Sequence, residues 1–447
     1  MILDAFLHKL MDAARDAGIE AAEAYIASGD SFRAVSAEQE IVQYAVNTTC
    51  GLSLRGLYGG KMGYASTEVM DEEAVGQLVN GVVESASLSE EEDRQFIYAG
   101  DKSYPSVDTY NPALESVTPK EKLDFVLNME KAAVNSDPRV KQVKYNTIMS
   151  GIGQVRIKNT YGLDISYKGN YCGAYLQPIA REGDKASTAF DINLTHDFSK
   201  LNYQGLAESA VQKAVFGLAG KPVKSGTYRV ILENSAMADI LDTFSGIFSA
   251  ENTQHGLSLL KGRVGETIAS SCVVLMDDPL LPYGEGSRPF DAEGVASKTK
   301  AVIENGVLKT LLHNLKTAQK DGVQTTGNAS KASYSAPVRV SVTNFFLKPG
   351  PDDLAAMMTN MGDGLVITEV SGLHSGANGV SGDFSLLAKG FIAKEGKKGN
   401  PVEQITVAGN FYQLLKNIQA VGSDLKFPGS NVGSPSVDVG EMAVAGA

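Results

Sequence analysis

Between Ala22 and Ser66 the chain is cut into five short apolar or alternating runs, Ala22–Ser28, Phe32–Glu38, Ile41–Asn47, Gly51–Tyr58 and Lys61–Ser66, with Gly, Asp or Asn between them. Runs this short, with side chains alternating, make half-buried strands rather than helices. The Gly59-Gly60 pair suits a tight hairpin, whose turn residues need positive φ. A chain that starts this way must bury one face of an antiparallel sheet, and two flanking segments can cover it. Leu3, Phe6, Leu7, Leu10, Ala14 and Ala17 recur at helical spacing before Gly18, and Asp71–Ser87 reads as a second helix.

The same logic carries through the rest of the chain. Glu90–Ser116 is acidic, then rich in Pro, Tyr, Ser and Asn, and reads as a connector. Thr118-Pro119-Lys120-Glu121 is a capping box with Pro at the first helical position, and the helix it starts should stop before Asp137-Pro138. Val140–Gly153, Gly153–Asn159, Leu163–Tyr171, Gly173–Glu182 and Ala186–Leu194 predict an antiparallel meander, and Gln204–Gly217 a helix. Gly220-Lys221-Pro222 is the best domain boundary, dividing 1–220 (sub-units near 1–100 and 101–220) from 221–447. Beyond it, Gly226–Glu233 reads as a strand and Ser235–Ser249 as a helix. Short strand-like runs follow at Glu266–Met276, Ala301–Leu312, Val338–Leu347, Leu365–Val370, Leu386–Ala393, Gln404–Val407 and Met442–Ala445. Helices are expected at Leu315–Asp321, Asp352–Met361 and Asn410–Val421. The fold class is α+β, with a β-rich second half.

Charge and cysteine usage narrow the function. The net charge is −12 over 447 residues, and the one basic cluster, Lys394–Lys398, reads as a hairpin turn. Nucleic-acid affinity comes chiefly from Lys and Arg neutralising phosphates, so direct DNA or RNA binding is not expected. Cys50, Cys172 and Cys272 are far apart and odd in number, which suits a reducing cytoplasm, and all three read as inert strand residues. No run approaches the roughly 18 apolar residues of a membrane span.

The usual catalytic motifs are missing. A helical zinc site needs two histidines one turn apart with a Glu beside them, yet His8, His196, His255, His313 and His374 are widely scattered. Glu251 and His255 stand at i, i+4, but Gly256 and polar neighbours suggest a loop. No Gly-x-Ser-x-Gly elbow occurs, and Gly59-Gly60-Lys61-Met62 and Gly151-Ile152-Gly153 fall short of phosphate loops. Ser371–Gly382 is the most unusual stretch, a glycine- and serine-rich loop around His374. It could approach a ligand closely or simply connect. Asp291 and Glu293 could form an acid pair; a turn is the plainer reading.

FDAEG (Phe290–Gly294), IENGVLKTLL (Ile303–Leu312), TTGNA (Thr325–Ala329), GDFSLLAKGF (Gly382–Phe391), ITVAGN (Ile405–Asn410) and EMAVAG (Glu441–Gly446) stand in the order of the TldD/PmbA family, and GLSLRGLYGGKMGYAST (Gly51–Thr67) resembles its N-terminal signature. The resemblance spans nearly the whole chain. It implies an N-terminal α+β region, a barrel-like C-terminal domain, and dimers around an internal cavity. It further implies a metallopeptidase branch, TldD, with His-Glu-x-x-x-His on the first helix of the C-terminal domain and a cysteine near the C-terminus, acting on unfolded peptides. The PmbA (TldE) branch lacks the motif and acts as its partner. The family is also linked to maturation of modified microcin peptides, to antitoxin turnover and, by an older name, to DNA gyrase. Aligned on the shared GRVGE (Gly262–Glu266), the hexamer falls on Leu241-Asp242-Thr243-Phe244-Ser245-Gly246, and the cysteine around Gly433–Ser434.

The expectation is therefore a PmbA-like subunit with no catalytic, cofactor or metal residue of its own. It would be cytoplasmic, and would pair with a TldD-like metallopeptidase or with itself. Two other readings stay open: a hydrolase with an unrecognised site around His374 and Ser375, and a peptide-binding scaffold.

Overall fold

The computed structural model describes residues 3–90, 93 and 95–447; the connector's Glu91, Glu92 and Arg94 lie outside them. After α1 (Leu3–Asp16) come β1 (Ala21–Ala37), β2 (Glu40–Tyr58), β3 (Lys61–Thr67) and α2 (Glu72–Leu88). Then follow α3 (Pro119–Ser136), β4 (Val140–Asn159), β5 (Asp164–Glu182), β6 (Lys185–Thr188), β7 (Asp191–Thr195) and α4 (Tyr203–Gly217). The strands form one antiparallel sheet ordered β3-β2-β1-β4-β5-β6, with β7 also on β5. Phe6, Leu7 and Leu10 of α1 and Leu78 and Val82 of α2 bury one end of it, while Val126 and Met129 of α3 and Ala207 and Val211 of α4 bury the other.

The sequence reading cut these strands too short. Gly29-Asp30-Ser31, taken as a break, lies inside β1 and pairs on both sides. Gly29 is there because β4 crosses close by: a Cβ at that position would meet the Ile152 carbonyl oxygen at 2.5 Å. The true turns are Glu38-Gln39, both at positive φ, and Gly59-Gly60, as expected. Cys50 was expected in the core, but the outer half of β2 runs past the helices and leaves it exposed with Val42, Tyr44 and Val46. Cys272 is likewise exposed; only Cys172 is buried, and burial pushes its thiol up to about 12. The expected capping box is formed by both Thr118 and Glu121.

The second half contains β8 (Gly226–Leu232), α5 (Asn234–Phe244), α6 (Ala250–Gln254), β9 (Leu275–Asp277), β10 (Lys300–Glu304), β11 (Val307–Leu308) and α7 (Leu315–Asp321). It continues with β12 (Ala329–Ser330), β13 (Arg339–Val340), β14 (Phe345–Leu347), α8 (Leu354–Met361), β15 (Gly364–Ser371), α9 (Leu373–Gly376), β16 (Asp383–Lys394) and β17 (Lys397–Asn410). It ends with α10 (Phe411–Asn417), β18 (Ala420–Val421), β19 (Val432–Gly433) and β20 (Val437–Ala445). Strands β17-β16-β15-β8-β20 follow one another, and β17 pairs back onto β20 to close a barrel. A second sheet runs β11-β10-β9-β14-β19. Phe244, Phe248, Phe345 and Phe411 lie in the large core between them. Glu266–Met276, expected as a strand, is mostly irregular, because Ile268 and Ala269 bond the Gly306 region singly rather than as a ladder. Helix α10 stops at Asn417, short of the expected Val421, because Ala420 and Val421 pair with β20. No described helix is long and apolar enough to cross a membrane.

Candidate functional site

Helix α5 shows three different faces. Met237, Ile240, Leu241 and Phe244 are fully buried, so the stripe at i, i+3, i+4 and i+7 is packing surface. The helix packs against β19, so the two segments where the resemblance implies metal ligands in the TldD branch are neighbours in space. Their side chains there are Leu241 in the core, Asp242 on the surface, and Ser434, whose hydroxyl donates to the Pro435 carbonyl at 2.7 Å. Among the described residues, no group of three or more His, Cys, Asp or Glu side chains could hold a metal ion.

The third face of α5 opens on a cavity of about 650 Å³. Helix α4 forms one wall with Lys213 and Phe216, the β15–β17 face another with Glu369, Lys389 and Phe391, and the start of α5 the third with Glu233, Ser235 and Asp239. Three of its cations have partners. Lys213 and Lys426 reach Asp191 at 2.8 and 3.9 Å, and Lys389 reaches Glu369 at 3.7 Å and the Thr188 carbonyl at 3.0 Å. Lys398 stands over the rings of Phe216 and Phe391, 4.4 and 4.8 Å from their centres. Burial holds Glu233 above its ordinary range, and burial with the nearby Asp242 and Glu369 charges pushes Asp239 up to about 6.

A folded-state value of about 6 against an ordinary 3.8 means that the native state binds the Asp239 proton more tightly than the unfolded chain. The contribution is therefore fully favourable below pH 4 and is lost as pH rises through 6. With the partial exposure of Asp239 discounting the figure, Asp239→Asn should add about 1–2 kcal/mol at pH 7.5 and nothing at pH 4. Urea unfolding at the two pH values measures this, and a variant no more stable at pH 7.5 would refute it.

The sequence candidates fall elsewhere. Glu251 and His255 sit on and just after α6, not in a loop. Glu251 is held by Arg339 at 2.6 Å, and His255 is exposed. Both line a second cavity, of about 630 Å³, with Arg55 and Glu293. His374 and Ser375 are exposed on the short α9, and the Ser375 hydroxyl faces the Gly372 carbonyl at 3.4 Å. Ser371–Gly382 is tied down by Asn378, which accepts from the amides of Val380 and Ser381, and by Asn410, which donates to the Ser381 carbonyl.

With the fold and these sites described, the relatives can be set beside them. Family models for domain 1, the central domain and the C-terminal domain of the PmbA/TldA metallopeptidases match residues 22–91, 112–217 and 225–446. The chain belongs to the PmbA/TldD metallopeptidase family. A Haemophilus influenzae protein named as a metalloprotease PmbA homolog is 26% identical over 94% of this chain and 90% of its own length. A Thermotoga maritima crystal structure described as a modulator of a DNA gyrase superposes with a TM-score of 0.92 at 33% identity, covering 99% of this chain and 100% of that one. TldE from Thermococcus kodakarensis shares the fold, with a TM-score of 0.88 at 23% identity over 99% of this chain and 100% of that one.

Two of the stretches that resemble the family meet in the structure. Arg55, in Gly51–Thr67, bonds Glu23 at 2.8 Å and Glu293, in Phe290–Gly294, at 3.1 Å, and all three are buried. Glu293 also accepts the Leu315 amide that starts α7, at 2.8 Å. Asp291 accepts the amides of Glu293, Val295 and Ala329. The acidic pair was read as a turn; it is a turn, held by Asp291, and Glu293 also clamps the N-terminal sheet onto the second half. No signal in the sequence marks Asp239 or Glu233, since Asp239 lies off the apolar stripe of α5 and Glu233 just before the helix.

Proposed function

We propose that this chain is a PmbA-type subunit of a TldD-type metallopeptidase system that processes or degrades unfolded peptides, and that it supplies binding surface rather than the metal. The observation behind this reading is the side-chain chemistry where α5 meets β19. Zinc and iron sites are built from imidazole, thiolate and carboxylate together. Leu241, Gly246 and Ser434 offer none of these, and Asp242 alone does not make a site. The residues do not fit the metal, so no step of peptide hydrolysis is assigned to them.

The division into 1–220 and 221–447, a cytoplasmic location, and pairing with a TldD-like chain or a second copy belong to the same proposal. The purified chain should carry well under one equivalent of zinc or iron and leave unfolded peptides intact, whereas adding a family member with His-Glu-x-x-x-His should give cleavage. Elemental analysis and a peptidase assay of each chain, alone and mixed, decide it. Stoichiometric tightly held metal would overturn the reading. So would cleavage by the isolated chain that His374→Ala abolishes, which would favour an autonomous hydrolase.

A further inference from the structure

We propose that the cavity between α4, the β15–β17 face and the start of α5 binds the amino terminus of an extended peptide, with Glu233 and Asp239 receiving the ammonium group. The argument starts from size. A volume of about 650 Å³ lies within the range of sites that enclose small ligands and short peptide segments.

Charge then selects the ligand. Lys213, Lys426 and Lys389 already have carboxylate partners and Lys398 lies over two aromatic rings, so an incoming anion would have to displace one of those contacts. Among the described residues, neither the Glu233 nor the Asp239 carboxyl forms a hydrogen bond or a contact ion pair, and the Lys213, Lys426 and Lys398 charges only partly offset the burial of Glu233. Both face a space that burial makes costly for a lone negative charge. An ammonium group relieves that cost.

The cavity wall shows independently that it accepts one. The protein's own Lys398 places its amino group over both Phe216 and Phe391, an arrangement in which aromatic faces attract a cation.

The backbone distinguishes a peptide amino terminus from a lysine side chain. Glu233 occupies the N-cap of the 11-residue α5 but makes no capping bond. The amides of Asn234 and Ser235 are therefore left as donors beside the two carboxyls. An α-amine is followed within one residue by a carbonyl that can accept from them, whereas a lysine ammonium is followed by methylenes. The inference rests on the peptide reading above only for the choice of ligand.

The experiment is calorimetry on the full chain with tetra-alanine amide and its N-acetylated form. The free-amine peptide should bind at least about tenfold more tightly, a difference of about 1.4 kcal/mol. Asp239→Asn should erase that difference by weakening only the free-amine peptide. Asp16→Asn, an exposed carboxylate at the end of α1 and outside the cavity lining, should leave both affinities unchanged. Circular dichroism confirms that each variant is folded. Equal affinity for the two peptides, an unaltered affinity in Asp239→Asn, or no binding of the free-amine peptide up to about 10 mM, weaker than the loosest ordinary complexes, would each overturn the proposal. No peptidase enters the assay, so a negative result leaves the subunit reading standing.

Discussion

Arg55→Met should destabilise the chain by about 3–5 kcal/mol, because it strands two buried carboxylates that share a single guanidinium. Glu23 and Arg55 face each other across β1 and β2, and Glu293 arrives from the second half of the chain. Burial already pushes the Glu23 carboxyl above its usual range even with Arg55 beside it. Without Arg55 both acids must take up protons or draw water into the seam. Lys331 offers only partial compensation, because its amino group bonds the Ser53 hydroxyl at 3.1 Å and burial disfavours its charge. The loss should appear in urea unfolding as a lower midpoint. Adding Glu23→Gln and Glu293→Gln should recover most of it, because neutral amides tolerate burial and a glutamine oxygen can still accept the Leu315 amide. A single variant losing less than about 1 kcal/mol, the range of an exposed pair, would show that the clamp is not a buried one.

That clamp also marks the limit of what could be read from the sequence. Features set by neighbours in the chain were legible. Thr118 and Glu121 cap α3 reciprocally, Gly59-Gly60 turn the β2–β3 hairpin, and α7 begins and ends as its pattern requires. Features set by distant partners were not. Gly29 has the composition of a turn but sits mid-strand because β4 lies against it. Cys50 lies beside an apolar run, but at its place in β2 it faces solvent. Glu293 looks like an ordinary turn acid until Arg55 is brought to it from the other half of the chain. The same limit governs the cavity. Asp239 gains meaning only when α4 and the barrel face close over it, and no local period encodes that meeting.

The α5 helix gives the second large effect. Restoring the family hexamer with Leu241→His, Asp242→Glu and Gly246→His should cost about 3–5 kcal/mol and should not produce a tight zinc site. Leu241 is completely buried, in a core that includes Phe244, which stacks on Phe411 with ring centres 4.7 Å apart. An imidazole there loses apolar packing and brings two ring nitrogens into a region with little to bond them. The flanking element offers no compensation, because Ser434 supplies only a hydroxyl near the place where the resemblance implies a cysteine in the TldD branch. Two imidazoles without a third strong ligand fall short of the three or four that zinc takes. Asp242→Glu alone, on the exposed face, should be nearly neutral, within about 0.5 kcal/mol, and separates the surface change from the core change. Adding Ser434→Cys tests the remaining ligand. If the quadruple variant bound stoichiometric zinc and unfolded no earlier than the parent chain, α5 would be a metal helix that had merely lost its ligands. If it unfolds earlier and stays metal-free, the helix has been repacked as core, as the proposed subunit role requires.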